Sequence, residues 1–98
     1  MTKTNTKTYT SRWDPTKYLD SDEAVAAYLD AAIDEDDPAL LAAALGDVAR
    51  AKGMTEIARE TGLGRESLYK ALSSDGNPEF GTVQKVVRSL GLKLHVSA

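Results

Sequence analysis

Apolar residues return at helical spacing along this chain of 98 residues, and residues that start and stop helices stand between the returns. Ser21 followed by Val25, Tyr28, Leu29, Ala32 and Ile33 predicts a helix capped by the serine, with those five side chains inward. Asp37-Pro38 restarts the chain: the aspartate caps, and proline at the first helical position has no N–H to lose. The helix so opened buries Leu41, Ala44, Leu45 and Val48 and stops at Gly53. After the loop SSDGNP, Asn77-Pro78 repeats the device and opens a helix with Phe80, Val83, Val86, Val87 and Leu90 inward, closed by Gly91. In LKLHVSA, Leu92, Leu94 and Val96 alternate with Lys93 and His95, which reads as a short half-buried strand or an extended tail lying on a groove.

The most informative stretch is MTEIARETGLGRESLYKAL, residues 54–72, which predicts two short helices joined by a tight turn, a helix-turn-helix. Ala58 is small enough for the second helix to come close. Gly62 suits a turn position of positive φ, where a Cβ is strained. Ile57, Leu63, Leu68, Ala71 and Leu72 supply the apolar contacts between the pair. Thr55 is the expected N-cap of the first helix, and Gly64 opens the second. Arg65, Glu66, Ser67, Tyr69, Lys70 and Ser73 are left outward on the second helix, as side chains able to reach phosphates and base edges in a major groove. The expected DNA-binding residues are therefore these six together with Thr55, whose helix start would hold a phosphate. An ordinary helical hairpin is the bland alternative, since A-x-x-x-G arises by chance in alanine-rich chains.

Charge sharpens that reading. The net charge is −3, which by itself argues against a nucleic-acid partner. Residues 1–49, however, carry ten acidic and four basic side chains, and residues 50–98 carry five acidic and eight basic. The basic half is the half with the outward polar helix, as a phosphate-facing surface requires. Residues 20–37 hold eight acids and no base, a surface suited either to solubility or to a cationic partner.

Length and composition fit one domain at residues 13–98 behind a flexible N-terminal tail at residues 1–12, which is rich in Thr and Lys. Trp13 and Tyr18, in WDPTKYL, serve either as packing anchors or as a partner contact. There is no cysteine, hence no disulfide and no cysteine-ligated zinc. No apolar run reaches the ~20 residues that span a bilayer, and the N-terminal residues lack the apolar core of a secretory signal, so a soluble cytoplasmic protein is expected. An enzyme is not expected: His95 is the single histidine and has no partner chemistry, so no catalytic residue is assigned. Asp34-Glu35-Asp36-Asp37 lacks the spaced oxygen ligands and turning glycine of a calcium loop. No metal and no cofactor are expected.

Two helices before the pair and one after it resemble the lambda-repressor-like, Cro-type helix-turn-helix domain. The run from YLDSDEAVAAYLDAAI through GLGRESLYKALS and GNPEF to LGLKL more narrowly resembles the addiction-module antidote family, the HigA-like antitoxins, over roughly residues 13–96. The resemblance implies an all-α, five-helix domain with a possible short C-terminal β-strand. It also implies an antitoxin of a type II toxin–antitoxin module, which neutralises a toxin of the RelE/ParE superfamily and represses the shared operon on double-stranded operator DNA. One such motif covers too little DNA for a selective operator, so a homodimer is expected, with Leu92, Leu94 and Val96 as its seam. A stand-alone phage-type repressor and a protein-interaction module that does not bind DNA remain open.

Overall fold

The computed structural model describes residues 18–98. The expected tail at residues 1–12 and Trp13 lie outside them. Five helices follow one another: α1 Asp22–Asp34, α2 Pro38–Lys52, α3 Met54–Thr61, α4 Arg65–Ala71 and α5 Phe80–Ser89. Among the described residues there is no strand, and the fold is all-α.

Local chemistry sets the first two helices. The Ser21 hydroxyl accepts the Ala24 N–H at 3.1 Å, and Asp37 Oδ1 accepts the Ala39 N–H at 3.0 Å, with Pro38 at the start of α2. Each such cap is worth about 1 kcal/mol. The corner between them is acidic, and Asp36 takes φ +58°, a conformation aspartate tolerates better than most residues.

The centre of the molecule is α2. Ala42, Ala44, Leu45, Gly46, Val48 and Ala49 are all buried, so small residues let neighbouring helices approach on several sides. The most deeply buried side chains are Leu45 and Val48 of α2, Ile57 of α3, Leu68 and Leu72 in and just after α4, and Val86 of α5. Four helices thus contribute to one cluster, at roughly 1.5–3 kcal/mol for each large side chain removed from water.

By contrast α1 packs chiefly on α2 and buries only Leu29 and Ala32. Ile33, expected inward, is 50% exposed, because it lies at the end of a helix that has only one neighbour of any extent. The tie between α1 and α2 is partly polar: the Tyr28 hydroxyl donates to Asp47 Oδ2 at 2.6 Å, and Asp47 also holds Arg50. Burial, then the bond to Asp47, pushes the Tyr28 pKa up to about 12. A phenol whose folded pKa is raised stabilises the fold fully below pH 10 and loses that contribution as pH climbs towards about 12. Tyr28→Phe is therefore expected to lose about 1 kcal/mol at neutral pH and to lose the alkaline step. Thermal melts of both proteins across that pH range test this.

Two further expectations are corrected. Asn77 does not cap a helix. Gly76 closes a turn through its N–H on the Ser73 carbonyl at 2.9 Å, residues 77–79 carry the chain across, and α5 starts at Phe80 behind an extended Glu79. Phe80, the first residue of α5, is 70% exposed, ahead of the Val83, Val86 and Val87 stripe that faces the core. The segment after Gly91 is not a strand either. Leu92 packs on the core and its N–H reaches the Val87 carbonyl at 3.2 Å, but among the described residues no segment forms a ladder with residues 93–98.

Candidate functional site

Helix α3 follows α2 with Gly53 alone between them, ending one helix and starting the next. Thr55 is consequently the second residue of α3, exposed, and does not cap it. No side chain caps the N-terminal amides of α3. At the other end Gly62 is left-handed, φ +74°, and its N–H returns to the Ala58 carbonyl at 3.0 Å. This agrees with the expected turn, because the left-handed region strains any Cβ by about 1–2 kcal/mol.

Thr61 completes the turn in a way the sequence reading missed. Its hydroxyl donates to the Ile57 carbonyl at 2.7 Å and accepts the Leu63 N–H at 3.3 Å. A threonine immediately before a helix-ending glycine was the available signal, since its hydroxyl can bridge the last carbonyls and the turn. Leu63 then packs against the core, Gly64 takes an extended conformation, and its carbonyl accepts the Leu68 N–H at 2.9 Å to begin α4.

Only Leu68 is buried within α4. Arg65, Glu66, Ser67, Tyr69 and Lys70 are all exposed, so the five share the outer surface of one short helix. The Arg65 guanidinium carbon lies 5.9 Å from the centroid of the Tyr69 ring, one helical turn on. That stacking steadies both side chains without using the arginine's donors. Glu66 forms no ion pair with Arg65. Ser73 is placed differently from expectation: it lies beyond the end of α4, half-buried, with its hydroxyl on the Lys70 carbonyl at 2.9 Å. Ser73 therefore closes the helix end rather than standing on its outer face.

Charge pairing separates the cations into two groups. Arg50 is held by Asp47, Arg59 by Glu56, and Lys52 by the Ser89 carbonyl with Glu60 at 3.9 Å. Among the described residues, Arg65, Lys70, Lys85, Arg88 and Lys93 have no carboxylate partner. The unneutralised cations are on α4, on α5 and after it, while the paired ones are on α2 and α3. On α3, the hydrogen bond between Glu56 and Glu60 lowers the first carboxyl, with help from Arg59, and raises the second. The lowered group favours the fold at higher pH and the raised one at lower pH, so the pair's contributions oppose.

Elsewhere an open groove of about 550 Å³ between α3 and α5 is lined by Glu60, Thr61, Gln84, Lys85, Arg88 and Ser89. A smaller one, about 160 Å³, lies between α1 and the segment after α5. Among the described residues no group of His, Cys, Asp or Glu is arranged to hold a metal ion, and no helix is long and apolar enough to cross a membrane.

A family model described as "Probable addiction module antidote protein" matches residues 9–98. An uncharacterized protein of Haemophilus influenzae is 48% identical over 84 residues, covering 86% of this chain and 87% of the relative. No solved structure matches the chain.

Proposed function

The chain belongs to the family of probable addiction module antidote proteins, and we propose that it neutralises a toxin of the RelE/ParE type and, as a homodimer, represses its own operon through α3 and α4. The observation that carries the DNA-binding part is the outer face of α4. It presents Arg65 and Lys70, unpaired with any carboxylate, beside Ser67 and Tyr69, on a helix held to the core by Leu68 and to α3 by a glycine turn. Such a helix can enter a major groove while its buried side keeps its angle fixed. Arg65 and Lys70 would read base edges or phosphates, Ser67 and Tyr69 would add hydrogen bonds, and Glu66 would accept from a base donor. Thr55 and the uncapped amides at the start of α3 suit a backbone phosphate, helped by the helix dipole. Ser73 acts on this reading through the end of α4 and not by direct contact.

Arg65→Ala and Lys70→Ala are each expected to weaken operator binding by about 1–3 kcal/mol where a base contact is lost, and to flatten the salt dependence where a phosphate contact is lost. Melting temperatures should hardly change, because both side chains are exposed. Gel-shift titrations on the DNA upstream of the gene, with melts alongside, provide the test. Parental affinity in both variants would remove α4 from the reading role. A chain with no salt-dependent DNA affinity at all would leave a protein-interaction module, and the lack of a toxin gene beside its own would leave a stand-alone repressor.

A further inference from the structure

Glu60, in the last turn of α3, and Lys85 and Arg88 of α5 line one open groove of about 550 Å³, yet they do not meet. The Glu60 carboxylate pairs at 3.9 Å with Lys52 instead, and neither cation of α5 has a carboxylate partner. Opposite charges that share a cleft without closing on each other leave room for a molecule that bridges them. The two walls are fixed, because Ile57 of α3 and Val86 of α5 are wholly buried in the common core. The other polar groups of the groove are already committed. The Thr61 hydroxyl donates to the Ile57 carbonyl, the Ser89 hydroxyl donates to the Val86 carbonyl at 2.7 Å, and the Ser89 carbonyl accepts from Lys52. What remains for a ligand is Lys85 and Arg88, three residues apart on α5, with the exposed Gln84 amide beside them and a carboxylate on the other wall. None of these groups takes part in the operator contact proposed above.

We propose that this groove binds a small molecule carrying a diphosphate on a ribose, of which a ribonucleoside diphosphate is the simplest kind. Residues three apart on a helix are neighbours, so Lys85 and Arg88 present two cations to two linked phosphoryl groups. Arg88 can fork two N–H donors onto one phosphate, while Lys85 serves the other as a point charge. A carboxylate opposite them would repel a bare anion. Glu60 therefore selects a ligand that brings donors as well, and the adjacent hydroxyls of a ribose can each donate to one of its oxygens. Gln84, both donor and acceptor, suits the middle of such a molecule. The size agrees with small-molecule sites, and the charged, open lining favours a hydrated anion over an apolar ligand. Duplex DNA is the competing source of phosphate, but its sugars have no free pair of hydroxyls to offer Glu60.

Isothermal titration of the full chain with adenosine diphosphate, its deoxyribose counterpart and inorganic pyrophosphate tests this. Adenosine diphosphate should bind saturably, and the deoxyribose form roughly fivefold more weakly for the lost hydrogen bond to Glu60. Lys85→Gln and Arg88→Gln should each weaken adenosine diphosphate by roughly tenfold or more. Both side chains are exposed, so the melt of the free chain should hardly change. Lys93→Gln removes an unpaired cation that is not part of this groove and should leave the affinity at the parental value. Glu60→Gln should act in two directions: pyrophosphate binds more tightly once the like charge is gone, and the preference for ribose shrinks. A merely damaged fold would not tighten any ligand. No saturable binding of adenosine diphosphate up to about 1 mM overturns the proposal. So does an equal loss with Lys93→Gln, which would mean attraction to surface charge alone. A chain that binds no adenosine diphosphate, and whose affinity for duplex DNA falls with Lys85→Gln and Arg88→Gln, has a DNA surface here, and that also overturns it.

Discussion

Gly46→Val is expected to be severely destabilising, although it lies away from the outer face of α4. A Cβ at Gly46 would fall inside contact distance of the Leu72 carbonyl oxygen and 3.2 Å from its carbon. That neighbour is backbone, at the cap of α4, so no side chain can swing aside. Either α2 and α4 separate, uncovering Leu45, Leu68 and Leu72, or the end of α4 unwinds. Even alanine should cost about 1–3 kcal/mol by overpacking, and the two further methyls of valine should cost more. A domain of this size has about 5–15 kcal/mol in total, and each kcal/mol moves the melting temperature by roughly 4–8 °C. Alanine should thus lower the melting point by at least several degrees, and valine should leave little folded chain at growth temperature. Gly62→Ala makes a useful comparison: its φ is strained but the space around it is open, so about 1 kcal/mol is expected. Circular dichroism melts of the three variants give the order directly. If Gly46→Ala melts with the parent, α2 and α4 do not meet as described.

The double variant Asp34→Lys, Glu35→Lys should move two properties in opposite directions. Asp34 is the last residue of α1 and Glu35 its C-cap, and the last turn of that helix holds no base. Negative charge at a helix C-terminus is unfavourable by about 0.3–1 kcal/mol per residue, so reversal should raise the melting temperature of the free chain. If these acids face a cationic toxin, the same change should slow association, by roughly tenfold or more at low salt, because like fields now oppose encounter. Dissociation should change less. Stopped-flow measurement of both rate constants at two salt concentrations, beside a melt, tests the pair of effects. A variant that is more stable and associates at the parental rate would show that the toxin docks elsewhere.

Several helix starts and stops follow their own residues, although Asn77-Pro78 and Thr55 do not set one. Ser21, Asp37-Pro38 and Gly62 do locally what their chemistry predicts, and Leu45, Ile57, Leu68 and Val86 are buried as their spacing requires. Other positions depend on what lies beside them, near in sequence for Thr55, Ser73 and Asn77 and far for Ile33 and Gly46. Ile33 continues the stripe of α1 correctly, but nothing in the stripe reveals that α1 lies on one helix only. Gly46 reads as an unremarkable helical glycine until α4 is laid across it. Thr55 has the chemistry of a cap, but Gly53 alone separates α2 from α3 and Thr55 falls inside the helix. Within the candidate site, the exposed set Arg65, Glu66, Ser67, Tyr69 and Lys70 was legible from periodicity. The displacement of Ser73 was not, since it turns on where a seven-residue helix stops.

The limited packing of α1 has a further consequence for how the molecule travels. The eight acids of residues 20–37 ride on or beside a helix whose main neighbour is α2, whereas the unpaired cations are on α4, on α5 and after it. Separated charge of opposite sign is an electric dipole, and a dipole near a polyanion feels a torque as well as a force. If the proposed operator binding holds, a chain approaching a duplex would be turned so that the cations of α4 lead before any base is read. On that reading a net-negative protein would find DNA in the right orientation, and less well as salt shortens the reach of the field.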